Sequence, residues 1–128
     1  MKRDYNTESK DNAERKYGYT FDYDVLHHYM VKAFSPSIIE GNALELGSFE
    51  GRFTERLLEL FHQVTCVEAS DEAAAKARAS LGEKVIVHEG LFEQIQLGEK
   101  FDNIFLTHVL EHVDDAVGVL RRINNEWM

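Results

Sequence analysis

The sequence predicts an α/β domain built on a parallel sheet, and three observations carry that expectation. Short apolar runs bounded by turn residues recur four times along the chain. Amphipathic stretches with helical spacing stand between most of them. The resulting alternation of strand and helix is met by right-handed crossovers between parallel strands. With 128 residues, 44% of them hydrophobic, the chain amounts to one domain with enough apolar surface to bury a core.

Residues 1–20 are polar and rich in Asn, Ser, Asp and Lys, which predicts a loosely ordered arm ahead of a domain spanning 21–128. Val25, Leu26, Tyr29, Met30, Ala33 and Phe34 then recur at helical spacing, a surface helix with one buried face that stops at Ser35-Pro36. Gly41-Asn42 marks a turn before the first strand, Ala43 to Gly47. From Gly51 to His62, Phe53, Leu57, Leu60 and Phe61 share a helical face. Val64 to Val67 is the second strand. Ser70 is placed to cap a following Ala-rich helix, with Asp71 and Glu72 in its first turn, and Gly82 ends that helix after Leu81. Val85-Ile86-Val87 and Phe101 to Leu106 are the third and fourth strands. Val113, Val117, Leu120 and Ile123 give a last helical face beginning near Asp114, with His112 and Glu111 opening the helix.

Composition narrows the function. The 23 acidic residues exceed the 14 basic ones by nine, and no basic stripe is present to neutralise a run of phosphates, so nucleic acid is not an expected partner. No apolar run approaches the ~20 residues of a membrane span, and the N-terminus lacks the apolar stretch of a signal peptide, which predicts a cytoplasmic protein with no membrane partner. Cys66 is the single cysteine and stands in an apolar run, where it packs in the core. His27-His28 has no acidic or Cys partner at ligand spacing, so no metal site is expected.

The chemically informative stretch is Glu45-Leu46-Gly47-Ser48-Phe49-Glu50-Gly51, between a strand and a helix. In an open α/β sheet this turn is where a ligand meets a helix N-terminus, and glycine lets the backbone approach it. Gly47 and Gly51 are also compatible with two ordinary turn glycines. Phe49 replaces the middle glycine of the dinucleotide fingerprint, which disfavours a nicotinamide-dependent oxidoreductase. Glu68 ends the second strand 17 residues past Gly51, where a carboxylate can accept from both hydroxyls of a ribose. The two features together describe a nucleoside site at the carboxyl ends of adjacent strands.

Glu45-x-Gly47-x-x-x-Gly51-x-x-Thr54, Val67-Glu68-Ala69-Ser70, Phe101-Asp102-Asn103-Ile104 and Thr107 to Asp115, in that order, resemble the motifs of class I S-adenosylmethionine-dependent methyltransferases. The VLEHVDD segment is similar to the branch that methylates small molecules. The resemblance covers about residues 20 to 125. It implies a Rossmann-like parallel sheet of order 3-2-1-4, lacking the later strands of the seven-stranded family fold, and S-adenosylmethionine as cofactor with S-adenosylhomocysteine as product. It implies that Gly47, Ser48 and Phe49 turn under the methionine part of the cofactor, with Gly51 completing the motif and Glu45 contacting the amino group. Glu68 would hold the ribose hydroxyls and Ala69 would pack on the adenine. Leu91 stands where the family often has an adenine-reading acid, leaving backbone groups of Leu91 and Phe92 for that contact. Thr107 and His108 would lie beside the reacting methyl group. His108 or His112 is the implied general base for a small-molecule acceptor, imidazole titrating near neutrality; a cap or supporting role for His112 remains open. Tyr17, Tyr19, Phe21 and Tyr23 are candidate lid residues, or pack on the sheet. The fourth strand is expected to be an unpaired edge, covered by a further C-terminal segment or by a second copy in a homo-oligomer. A non-catalytic nucleoside-binding or oligomerisation module of the same fold is the alternative.

Overall fold

The computed structural model describes residues 2–15 and 25–128. Tyr17, Tyr19, Phe21 and Tyr23 lie outside the described residues. The N-terminal segment departs from expectation: Tyr5–Arg15 is a helix, α1. Its start is fixed by Asp4, whose Oδ1 accepts from the Asn6 and Thr7 N–H groups at 3.1 and 3.2 Å and whose Oδ2 accepts from Thr7 Oγ1 at 2.8 Å. Polar bonds then dock it on the domain, with Ser70 Oγ donating to Asn6 Oδ1 at 2.8 Å and Lys10 paired with Glu72 at 2.9 Å. A helix held by caps and cross-chain polar bonds leaves no apolar periodicity in its sequence.

The remaining elements are α2 (His27–Phe34), β1 (Ala43–Leu46), α3 (Arg52–Leu57), β2 (Val64–Glu68), α4 (Asp71–Leu81), β3 (Val85–Glu89), β4 (Asn103–Leu106) and α5 (Ala116–Arg122). The strands form a parallel sheet in the order β3-β2-β1-β4, as expected. β4 is one edge of this sheet, and its Ile104 and Leu106 are only half-buried.

Alternation along β1 builds a core on each face. Ala43 belongs to the cluster of Phe53, Leu57, Phe61, Cys66, Ala74, Ala77 and Phe105, against which Met30, Val31 and Phe34 of α2 pack. Leu44 and Leu46 join Val67, Phe101, Val119, Ile123 and Trp127 on the other face. Glu45, between Leu44 and Leu46, thus shares the face of Ala43, toward α3.

Helical phases differ from the sequence reading in three places. On α2, Leu26, Tyr29 and Ala33 are exposed, Tyr29 by 67%, so the contact face is turned toward Met30, Val31 and Phe34. α3 is six residues long, because the chain turns after Leu57 to bring Phe61 onto Phe105 (ring centroids 5.9 Å apart) before β2 begins, which leaves Leu60 exposed. At the C-terminal end, Leu110–His112 is a separate 3-10 turn, so His112 does not open α5. Asp115 caps α5 by accepting from the Gly118 N–H at 2.8 Å, and a closing π-turn, Ile123–Trp127, shifts the phase again. Val119, Ile123 and Trp127 are therefore buried, while Val117 and Leu120 face out.

The amino ends of β1 and β4 are clamped by Asn42, Asp102 and Asn103. The Asn42 N–H donates to Asp102 Oδ2 at 3.1 Å, the Asp102 N–H to Asn42 Oδ1 at 2.9 Å, and Asn103 exchanges two bonds with Ile39, each 3.0 Å. The Phe101-Asp102-Asn103 motif is structural in this chain, an anchor at the amino ends of β1 and β4.

Candidate functional site

At the carboxyl ends of the strands lies a cavity of about 400 Å³. Its floor is the turn after β1. Gly47 continues the ladder, its N–H donating to Val67 O at 2.8 Å, and then adopts φ +78°. A Cβ there would stand 2.7 Å from Val109 Cγ2, so the position requires glycine for conformation and for space. Phe49, where a glycine stands in the dinucleotide fingerprint, takes φ +51°, a left-handed conformation that costs a non-glycine residue about 1–2 kcal/mol. Its compensation is visible: the Phe49 N–H donates to Glu68 Oε2 at 2.8 Å. Gly51 does not line the cavity. It adopts φ +89° at the start of α3 and lies against α4, where a Cβ would meet Leu81 Cδ1 at 2.8 Å and Ala77 Cβ at 3.2 Å. Of the two alternatives open in the sequence, the turn glycine describes Gly51, whereas Gly47 lies in the cavity wall.

Two carboxyl groups from adjacent strands face this space. Glu68, at the end of β2, bridges two loops, accepting from Phe49 through Oε2 and from the Ser70 N–H through Oε1, each at 2.8 Å. Burial raises its pKa against the opposing pull of those N–H bonds. Glu45, on β1, is 1% exposed. Thr54 Oγ1 of α3 donates to Glu45 Oε2 at 2.5 Å, and Cys66 Sγ lies 4.0 Å from the same oxygen. Burial pushes Glu45 up to about 8, the Thr54 bond pulls it down, and the Glu68 charge adds to the rise. Burial also pushes the Cys66 thiol up, which suits the packing role expected of it. Ser48 Oγ is buried beside these groups with no hydrogen-bond partner of good geometry among the described residues.

The walls contain the remaining expected residues. Ala69, Leu91 and Phe92 stand on the β2 and β3 side, and Thr107, His108 and His112 on the β4 side. Carbonyl groups of Leu91 and Phe92 are engaged: Leu91 O accepts from the Ile95 N–H at 2.9 Å and Phe92 O from Arg122 Nη1 at 2.6 Å. A backbone contact to a ligand there falls first to the N–H groups. Among the described residues His108 is the second non-glycine with positive φ, +56°, so strained backbone occurs on both sides of the cavity, at Phe49 and at His108. Glu111 Oε1 lies 3.7 Å from His108 Nδ1 and 4.0 Å from His112 Nε2. No cluster of His, Cys, Asp and Glu suited to a metal ion occurs among the described residues.

Sequence reasoning missed several lining residues. Arg3, Tyr5 and Glu8 come from α1 and the segment before it, His27 from α2, and Glu93 from the loop after β3. Arg3 ties that cover down: it pairs with Glu8 at 2.7 Å and donates through Nη1 to His112 O at 2.8 Å. His27 stacks edge-on against Phe53, centroids 5.3 Å apart. Helical spacing marked this part of α2 as packing surface, and nothing in the N-terminal sequence signalled contact with residue 112.

A doubly wound half-sheet with a glycine turn, two inward carboxyls and an apolar slot at its carboxyl edge is the arrangement in which open α/β sheets place their ligands. The comparison with known families is more specific. A family model described as a methyltransferase domain matches residues 44–125, and the chain belongs to that family. An uncharacterized methyltransferase from Geobacillus sp. (strain WCH70) is 38% identical over 73 residues, which are 56% of this chain and 34% of that protein. The chain thus spans about a third of the length of that relative. Among solved structures, the DhpI–SAH complex superposes with a TM-score of 0.78 over 97% of this chain and 62% of that one, at 22% identity. The glycopeptide N-methyltransferase MtfA complexed with S-adenosyl-L-homocysteine superposes with a TM-score of 0.67 over 80% and 47%, at 21% identity. At these identities the structural likeness concerns the fold.

Proposed function

We propose that the cavity binds S-adenosylmethionine and that the chain serves methyl transfer to a small-molecule acceptor. The observation that carries this reading is the convergence of Glu45, Gly47, Ser48, Phe49, Glu68, Ala69, Leu91, Phe92, Thr107 and His108 on one cavity at the carboxyl ends of β1, β2 and β4. The chemistry of these groups suits the cofactor. A buried carboxyl at Glu45, met on one oxygen by Thr54, and a buried hydroxyl at Ser48 with no partner of good geometry gain from a further polar or cationic group. The methionine amino group would supply that partner. Glu68 would accept from the ribose hydroxyls with the lone pairs its two backbone donors leave, and Gly47 would let the backbone approach the ligand. Ala69, Leu91 and Phe92 would sandwich the adenine, with Glu93 as the nearby acid for its amino group.

When bound, S-adenosylmethionine supplies an activated methyl group on a sulfonium, so the protein's share is placement and exclusion of water. Thr107 and His108 would stand beside the reacting carbon. His108 or His112, each near the Glu111 carboxylate, would take the proton from a hydroxyl or ammonium acceptor. The helix α1, tied by Arg3 to the loop that carries both histidines, would shield this end from solvent. The small size of the acceptor is supported by the VLEHVDD resemblance.

Calorimetric titration of the chain with S-adenosylhomocysteine tests this. Saturable micromolar binding, weakened in Glu68→Gln, is expected; a folded chain that binds no adenosyl ligand would overturn it.

A further inference from the structure

Glu45 faces the cavity on one side and a fully enclosed set of polar groups on the other. Thr54, from α3, is 0% exposed, and its hydroxyl donates to Glu45 Oε2 at 2.5 Å. No residue forces a threonine into this apolar layer between Phe53 and Leu57; a valine of the same shape would fill the space without a polar atom to satisfy. The bond leaves Oε1, the other carboxyl oxygen, for whatever enters the cavity. The groups around the carboxyl are uneven in charge. Glu68 and the Cys66 thiol come from β2, Ser48 from the turn, Phe105 is its register partner on β4, and His27 and Arg52 line the cavity from α2 and α3. The Thr54 hydroxyl is therefore a nearby donor that favours the charged form from behind.

We propose that Thr54 is a positioning residue: by donating to Oε2 it fixes the carboxyl of Glu45 with Oε1 toward the cavity and favours the charged form that receives a cationic amino group. This rests on the cofactor reading above. Burial pushes Glu45 up to about 8, so near pH 7 the neutral form predominates in ligand-free protein. Removing a hydrogen bond to the charged oxygen raises that value further, by about one pH unit, which is roughly tenfold in affinity for an ammonium ligand below the midpoint. Above the variant's midpoint the carboxyl is ionised in free and bound states alike, so the deficit closes.

The test compares wild type, Thr54→Val and Thr54→Ser by calorimetric titration from pH 6.5 to 9.5. The probes are S-adenosylhomocysteine, which carries the amino group, and methylthioadenosine, which lacks it. The expected result is a deficit of roughly tenfold for S-adenosylhomocysteine in Thr54→Val at pH 7, shrinking as pH rises, with Thr54→Ser near wild type and methylthioadenosine unaffected. Equal losses for both ligands, or a loss independent of pH, would reduce Thr54 to a packing residue and overturn the proposal. Ligand-free protein gives a separate readout, the carbon NMR titration of the Glu45 carboxyl. An unchanged midpoint in Thr54→Val overturns the role of Thr54, whereas a raised midpoint in a chain that binds neither ligand upholds Thr54's hold on Glu45 and refutes the cofactor reading instead.

Discussion

Replacing Glu68 by Gln separates the two jobs of this side chain. In the folded chain its carboxylate accepts from the Phe49 and Ser70 N–H groups, both at 2.8 Å, one on each oxygen. A glutamine of the same shape offers one acceptor oxygen, so one N–H must face an amide N–H instead. A lost hydrogen bond to a charged group costs about 1.5–3 kcal/mol. Burial, which raises the Glu68 pKa, returns part of that when the charge is removed, so a net loss of about 1–2 kcal/mol follows. For a domain of this size that corresponds to a fall in Tm of roughly 3–10 °C. Differential scanning calorimetry measures it. The same substitution removes an acceptor for a ribose, so affinity for S-adenosylhomocysteine should fall by at least ~1 kcal/mol, roughly fivefold. A Gln variant whose Tm and affinity both match wild type would refute the assignment of Glu68 as the bridge and the ribose acceptor.

Gly47→Ala meets Val109 Cγ2 at 2.7 Å with φ at +78°, and a loss of about 1–3 kcal/mol by chemical denaturation is expected, together with weakened ligand binding. Gly51→Ala sits at φ +89° but away from the cavity, so it should lower stability by about 1–2 kcal/mol while the folded variant keeps its affinity; an equal loss of affinity would return Gly51 to the ligand site. Because Glu45 stands near 8 when folded against 4.5 ordinarily, the folded chain holds a proton there that the unfolded chain releases. Ligand-free stability should therefore be fully present below about pH 4.5 as far as this group is concerned, and fall as pH rises toward 8, with Glu68 acting in the same direction; urea denaturation at pH 6 and pH 8 checks the sign.

How much of this was legible in the sequence depends on which force fixed each element. The four strands were readable because apolar runs between turn residues are set by burial, and their order came with the motif resemblance. Gly47, Glu68 and Ser70 were readable because strand ends and helix caps demand particular residue types. The helix α1 was not, since Asp4, Asn6 and Lys10 hold it through hydrogen bonds to partners as far away as Ser70 and Glu72. The buried face of α5 was misjudged because Asp115 resets its start and the π-turn after Arg122 advances the phase to bury Trp127. Asp102 and Asn103 look like part of a ligand motif by position, yet their bonds run to Asn42 and Ile39 at the opposite end of the sheet. Strain was the least visible feature: a phenylalanine and a histidine at positive φ cannot be told from their neighbours until the backbone is known.

The cavity between β1, β2 and β4 is proposed as a site for an adenosyl amino acid. Titrating the folded chain with S-adenosylhomocysteine while following backbone amide resonances tests it most directly. Saturable shifts are expected at Gly47, Phe49, Ala69, Leu91 and His108, with Asn42 and Asn103 at the far end of the sheet unmoved. Saturable binding whose shifts fall elsewhere, or a folded chain with no shifts at all, would contradict it.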